Sequence, residues 1–300
     1  NDAATISNLM QADVLQHLEH FRVGQASIEL AHIRGHADDY YLSLVGELFD
    51  RMRHDFEDGP GWARIGNALA QLAADGQEET IRRMGISKSE TILFAAAAFY
   101  CGGFPASAYL TIRGQMPDDS DSESYRACFD LIARPGSMKS LTGSALLSAL
   151  RNGDMGTLAA LRTAASFQAK AALAMGPDEW ISARLFERLI SRFHLTNIRA
   201  VLPEGSSNFW NPFVESMLDR KPPSWEFFPS QIEAIERGLL QRPDTFALQM
   251  PTGAGKTALC ETLLYRHAKR TESAVAILLV PYRSLASELR ASVVKRLNAM

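Results

Sequence analysis

The sequence predicts an all-α domain followed by the beginning of an α/β domain built on a parallel sheet. Three observations predict it. Apolar positions recur at helical spacing through about residues 3–200, with almost no strand-like alternation. Residues 202–224 are dense in helix breakers. After them the pattern becomes strand, glycine-rich loop, helix, strand, which is the order of a βαβ unit.

In the first part, Ile6, Met10, Val14, Leu18 and Phe21 repeat at helical spacing, as do Tyr41, Leu44, Val45, Leu48, Phe49 and Met52. Breaks fall at Asp58-Gly59-Pro60-Gly61, Gly102-Gly103, Pro117-Asp118-Asp119, Arg134-Pro135-Gly136, Asn152-Gly153-Asp154 and Gly176-Pro177. Ser87-Lys88-Ser89-Glu90 has the form of a capping box, and Pro177-Asp178-Glu179 places proline and acids at a helix start. The result is an array of short helices, often in hairpins, without a clean repeat period. Domain bounds follow: 1–205 all-α accessory domain, 206–224 connection with one short helix over 214–218, and 225–300 the α/β part.

In the last part, helices are expected over residues 231–240, 257–269 and 284–297, and strands over 245–250 and 274–280. The second strand is a continuous apolar run, the mark of a strand buried on both faces. Two parallel strands do not make a core, and the chain begins with Asn1 rather than Met. The sequence is therefore read as a fragment, truncated at residue 300.

Apolar content of 46% and charged content of 22% are those of a soluble globular protein. The longest apolar run, residues 92–101, is too short to span a bilayer, and no secretory signal opens the chain. Cys101, Cys128 and Cys260 are odd in number and far apart, which fits a reducing cytoplasm without disulfides or zinc. Net charge is −3, but eight Lys/Arg face fifteen Asp/Glu in residues 1–100, against eight and three in residues 251–300. That imbalance reads either as solvated helix faces or as a phosphate-binding surface at the C-terminal end.

Met250-Pro251-Thr252-Gly253-Ala254-Gly255-Lys256-Thr257 is a phosphate loop. Backbone N–H groups of Gly253, Ala254, Gly255 and Lys256 can converge on an anion, with the following helix N-terminus behind them. Lys256 would neutralise phosphate charge and Thr257 would supply a hydroxyl to Mg²⁺. Thr252 and Ala258 flank the loop core. Met250 stands where the strict pattern has glycine.

Phe227-Phe228-Pro229-Ser230-Gln231 lies about twenty-five residues before Lys256. The Gln231 amide can donate to and accept from one edge of adenine, and Phe228 can cover the base. Pro281-Tyr282-Arg283-Ser284 follows the second strand directly. Parallel-sheet folds bind ligands at the carboxyl ends of their strands, and Arg283 and the Ser284 hydroxyl are phosphate donors.

In this order and spacing the three strings resemble the Q motif, motif I and motif Ia of superfamily-2 (DExD/H-box) helicases. The run Pro281-Tyr282-Arg283-Ser284-Leu285-Ala286-Ser287-Glu288 is similar to the superkiller-like branch. The resemblance covers about seventy-five residues. It implies a RecA-like motor domain that uses ATP and Mg²⁺. Phe228, Gln231 and residues 252–258 would bind ATP, Lys256 and Thr257 would be catalytic, and Pro281, Tyr282, Arg283 and Ser284 would touch nucleic acid, with DNA favoured over RNA. It also implies that the acidic motif and the arginine finger lie beyond Met300; Asp178-Glu179-Trp180 sits in a helical region and is not that motif. Bacterial antiviral defence helicases of the Hachiman type are similar in organisation.

Elsewhere the signals are plainer. His17 with His20, and His32 with His36, lack a third ligand and read as partly exposed helix residues. Residues 94–100 read as core. Arg184, Arg188 and Arg192 form a basic stripe that reads first as a solvated face and second as a nucleic-acid contact. The expected function is an ATP-driven helicase or translocase. The alternative is a helical interaction module that couples a restriction- or defence-type motor to a nuclease or other effector protein.

Overall fold

Several helix ends in this protein are set by side chains that reach unpaired backbone groups. The structure, a computed structural model, describes residues 37–53, 58–74, 87–133, 138–221, 223–242, 245–250, 255–280 and 282–297. Its helices are α1 (Ala37–Arg53), α2 (Gly59–Ala74), α3 (Lys88–Cys101), α4 (Pro105–Ile112), α5 (Glu123–Ala133), α6 (Leu141–Asn152), α7 (Met155–Ala172), α8 (Pro177–Thr196), α9 (Ile198–Val201), α10 (Asn211–Leu218), α11 (Pro229–Glu236), α12 (Lys256–Arg270) and α13 (Arg283–Leu297). A 3₁₀ turn, Asn208–Trp210, precedes α10.

Several expected starts are present. Ser87 Oγ accepts from the Glu90 N–H at 3.0 Å and caps α3. Proline opens α8, with Asp178 and Glu179 in its first turn. The Asp58-Gly59-Pro60-Gly61 break is itself a cap: Asp58 accepts from the Gly61 N–H at 3.0 Å and α2 begins at Gly59. The short helix after residue 206 begins at Asn211, earlier than expected, because Pro212 suits a first turn. Helix α11 stops at Glu236 rather than residue 240, and Gly238, at φ +100°, turns the chain. The periodic segment over residues 6–21, the four histidines and the Arg134-Pro135-Gly136 break lie outside the described residues.

The strand expectation is corrected. Residues 245–250 and 274–280 carry no strand, and pairing among the described residues is limited to one isolated antiparallel bridge, Asn197–Glu226. A parallel strand needs ladder partners at its edges and layers on its faces. Here Val275, Ile277 and Leu279 are 78%, 83% and 88% exposed, so the run is uncovered. The described residues are mostly helical and do not display the RecA-like parallel sheet.

The chain divides into two compact units. The first takes the chain up to Ala133, Ser137–Ser144 and Ala160–Arg192. Its central helix is α3, apolar all round and buried from Thr91 to Cys101. Helix α2 packs on it closely, because a Cβ at Gly66 would stand 3.0 Å from the Phe99 ring and 3.1 Å from the Ala95 carbonyl. Phe49 of α1 meets Phe94 edge-on at 5.8 Å and Trp180 of α8 at 5.7 Å. The arginine stripe of α8 has a structural task. Arg184 donates to the Met52 carbonyl at 2.7 Å and Arg192 to the Cys101 carbonyl at 2.9 Å. Each guanidinium thus caps the C-terminal end of another helix, where the macrodipole favours a cation. Buried Asp130 of α5 does the converse at the start of α6. Its carboxylate accepts from the N–H groups of Lys139 and Ser140 and from the Ser140 hydroxyl, at 2.6–2.9 Å.

The second unit includes Ala145–Ala159 and Phe193–Met300. Its organising side chain is Arg199, 2% exposed. Nε donates to the Leu150 carbonyl at 2.7 Å. One terminal nitrogen donates to Arg151 O and Asn211 Oδ1, both at 2.8 Å, and the other to Gly205 O at 3.0 Å and Ser207 O at 3.4 Å. All five N–H donors of the fork are occupied. No carboxylate balances the charge in these bonds; carbonyl dipoles at the end of α6 do so, and burial pulls the guanidinium below its ordinary pKa. The surrounding loop needs glycine, since a Cβ at Gly205 would lie 1.7 Å from the Arg199 carbonyl oxygen.

Arg199→Lys should destabilise the protein by roughly 3 kcal/mol, because an ammonium cannot reproduce the fork and leaves buried carbonyls unpaired. Chaotrope unfolding measures it; a loss under about 0.5 kcal/mol, the range of ordinary surface changes, would show that the fork is dispensable.

Candidate nucleotide site

The site is built where the N-terminus of α11 meets the N-terminus of α12. Phe228 caps α11, and Pro229 suits its first turn. The Gln231 side chain turns back and accepts from the Phe228 N–H at 2.7 Å. The same amide donates through Nε2 to the Gly255 carbonyl at 2.8 Å. Gln231 is 4% exposed, so these bonds form away from water. One donor and one acceptor position of the amide remain, the pair that one edge of adenine requires.

Gly255 is at φ +78°, the left-handed region, directly before α12. A Cβ there would stand 2.2 Å from Gln231 Nε2 and 3.5 Å from the Phe228 ring. The absent side chain is thus what lets the glutamine reach the loop. Lys256 opens α12 and is exposed, and its Nζ donates back to the Met250 carbonyl. Thr257 is exposed and Ala258 half-buried in the same turn. Thr252, Gly253 and Ala254 lie outside the described residues.

Phe228, Gln231, Gly255, Lys256, Thr257 and Ala258 are therefore at the two facing helix starts. The other expected residues are not joined to them by a hydrogen bond among the described residues. Tyr282 is 70% exposed and Arg283 is the exposed first residue of α13. Ser284 lies in the first turn of α13, and Pro281 lies outside the described residues.

Sequence reasoning missed what holds α12. Glu261, wholly buried on that helix, accepts from Arg220 Nη2 at 2.5 Å and from Arg296 of α13. Burial pulls the Arg220 guanidinium down and the Glu261 charge opposes that shift. On the same helix, Tyr265 donates to the Phe209 carbonyl at 2.5 Å and packs against the rings of Phe209, Trp210 and Phe213 at 5.5–5.7 Å. The visible signal was a lone acid at a helical position amid apolar neighbours, Leu259 and Leu263, on an otherwise amphipathic helix.

Residues 228–300 match the DEAD/DEAH box helicase family. That part of the chain is thus similar to DEAD/DEAH box helicases. The chain is 30% identical over 118 residues to the Hachiman protein HamB of Bacillus cereus, covering 39% of this chain and 10% of HamB. It is 39% identical over 67 residues to the ATP-dependent DNA helicase Hel308 of Methanocaldococcus jannaschii, covering 21% of this chain and 6% of that protein. The chain spans a tenth or less of the length of these curated relatives. No solved structure matches it. Among the described residues no helix is long and apolar enough to cross a membrane.

Glu261→Ala should cost about 3–5 kcal/mol, since it leaves two guanidinium groups facing each other around an empty buried site. Glu261→Gln, which keeps the acceptor, should cost less. Equal, small losses in chaotrope midpoint for both variants would mean that the clamp contributes nothing.

Proposed function

We propose that this chain supplies the ATP-binding front of a helicase or translocase that uses ATP hydrolysis to move along or separate nucleic-acid strands, DNA in preference to RNA. One observation supports it most: a single buried glutamine ties the N-terminus of α11 to Gly255, at the foot of a helix that begins Lys256-Thr257. An adenine against the free positions of Gln231 and the Phe228 ring would put its phosphates toward the start of α12. There the helix N-terminus and Lys256 meet negative charge. Lys256 would leave the Met250 carbonyl to do so, exchanging a neutral acceptor for a charged one.

Thr257 is the residue that would help hold Mg²⁺. It fits because it is an exposed, hydroxyl-bearing residue in the first turn of α12, directly after Lys256. The ion would offset phosphate charge when bound. The chain's own part is to bind, orient and neutralise. Pro281, Tyr282, Arg283 and Ser284 would carry the nucleic-acid backbone, with Tyr282 offering an exposed ring for stacking and Arg283 a phosphate contact.

Residues up to about 205 would serve as an accessory region, and 206–224 as the connection to the motor. The likeness to a Hachiman protein favours a role in antiviral defence in the cytoplasm, with an effector protein as a further partner. The caps made by Arg184 and Arg192 leave less of the α8 stripe for nucleic acid, which favours contact through the C-terminal segment.

Lys256→Ala in the full-length protein should abolish ATP turnover with an unchanged melting temperature, because the lysine is exposed and its loss opens no cavity. Turnover equal to wild type would refute the phosphate-loop assignment. Arg283→Ala should weaken single-strand binding and lower the salt dependence by about one counterion per lost phosphate contact. A binding curve with the same strength and salt slope as wild type would remove Arg283 from the interface.

A further inference from the structure

The residues that precede the base reader are held by a corner of the helical region. Helix α8 ends at Thr196, and Asn197, wholly buried, turns the chain into α9. Its Nδ2 donates to the Phe193 carbonyl at 2.9 Å and its Oδ1 accepts from the Ala200 N–H at 2.9 Å. One asparagine thus caps both the end of α8 and the start of α9. Residues 224–227 pair with that corner in antiparallel fashion: the Ile198 N–H donates to Trp225 O at 2.9 Å, and the Phe227 N–H to Thr196 O at 3.0 Å. Two side-chain contacts fix the register. The Thr196 hydroxyl donates to Glu226 Oε2 at 3.1 Å, with both residues buried. Trp225, fully buried, packs on the Phe193 ring at 4.9 Å.

The bonded path does not stop there. Phe227 leads directly to Phe228, whose N–H meets Gln231, whose amide meets Gly255, which precedes Lys256. We infer that Thr196 and Glu226 are positioning residues for the nucleotide base: through the Asn197–Glu226 bridge they set where Phe228 and Gln231 stand, and so the affinity for adenine rather than for phosphate. This rests on the reading of Gln231 and Lys256 given above. It adds a determinant, Thr196, that lies 30 residues before its partner Glu226, in a region with no nucleotide motif of its own. The register matters because side chains alternate across an extended segment, and a slip of one residue would turn the Phe228 ring to the other face. The Thr196–Glu226 bond opposes that slip where the local pairing is only one bridge long.

The experiment measures binding of ATP and of inorganic tripolyphosphate, each with Mg²⁺, to the intact protein and its variants. Thr196→Val keeps the shape and removes the donor. It should weaken ATP by about three- to tenfold, the scale of one buried hydrogen bond, and leave tripolyphosphate unchanged. Thr196→Ser should restore ATP affinity, and Glu226→Ala should reproduce the loss. A merely structural fault would lower both ligands together, and that result overturns the inference. So does unchanged ATP affinity in Thr196→Val and Glu226→Ala while Gln231→Ala still weakens ATP. If Gln231→Ala and Lys256→Ala both leave ATP binding intact, the nucleotide reading itself falls, and this inference with it.

Discussion

A guanidinium placed at the C-terminal end of a helix recurs along α8 and α9, and the two units are ordered around it. The last carbonyls of a helix have no intrahelical donor and carry the negative end of its dipole. Arg184 meets that need for α1, Arg192 for α3 and Arg199 for α6. Arginine suits the position because its fork is planar and stays charged, so one side chain satisfies several carbonyls in fixed directions. Arg199 carries the idea furthest, linking α6, the loop after α9 and the first turn of α10 through neutral acceptors alone. With that loop fixed, Trp210 and Phe213 are set against Tyr265, and α12 gains its aromatic floor.

Much of this was legible in the residues. Local chemistry leaves local traces: Ser87 with Glu90, Pro177 with its acids, and a glycine before Lys256 each announce a backbone event within four residues. Gln231 and the glycine-rich loop could be read together from two short strings in a fixed order, but the bond that joins Gln231 to the Gly255 carbonyl depends on the fold. The parts that escaped depend on distant partners. Nothing in the apolar run over residues 274–280 says whether a neighbouring strand is there to pair with it, and here it has no ladder. The arginine stripe of α8 looked like solvated charge, because a capping arginine and a surface arginine share one periodicity. The role of Glu261 depends on Arg220 and Arg296, which lie 41 and 35 residues away in sequence and surround it only in the fold.

The two kinds of anchoring around α12 have different stiffness. Its start is held by one amide bond from Gln231 and by the bond from Lys256 Nζ to the Met250 carbonyl. Its middle is held by a buried carboxylate between two guanidinium groups and by a tyrosine in an aromatic cluster, neither of which is easily rearranged. A helix fixed at its waist and tied more lightly at its start would suit the nucleotide site proposed above, which would have to accept and release a charged ligand.

The way the chain is shared between the units bears on their separability. The first unit holds residues on both sides of Ala145–Ala159, which belong to the second, and Ala160–Arg192 returns to the first before the second resumes. The backbone therefore crosses from one to the other more than once, and no single cut leaves both whole. During synthesis the C-terminal end of α6 emerges well before Arg199, about fifty residues later, so its final carbonyls wait for a cap that has not been made. A recombination point between residues 145 and 192 would therefore part residues that share a unit, whichever side it kept.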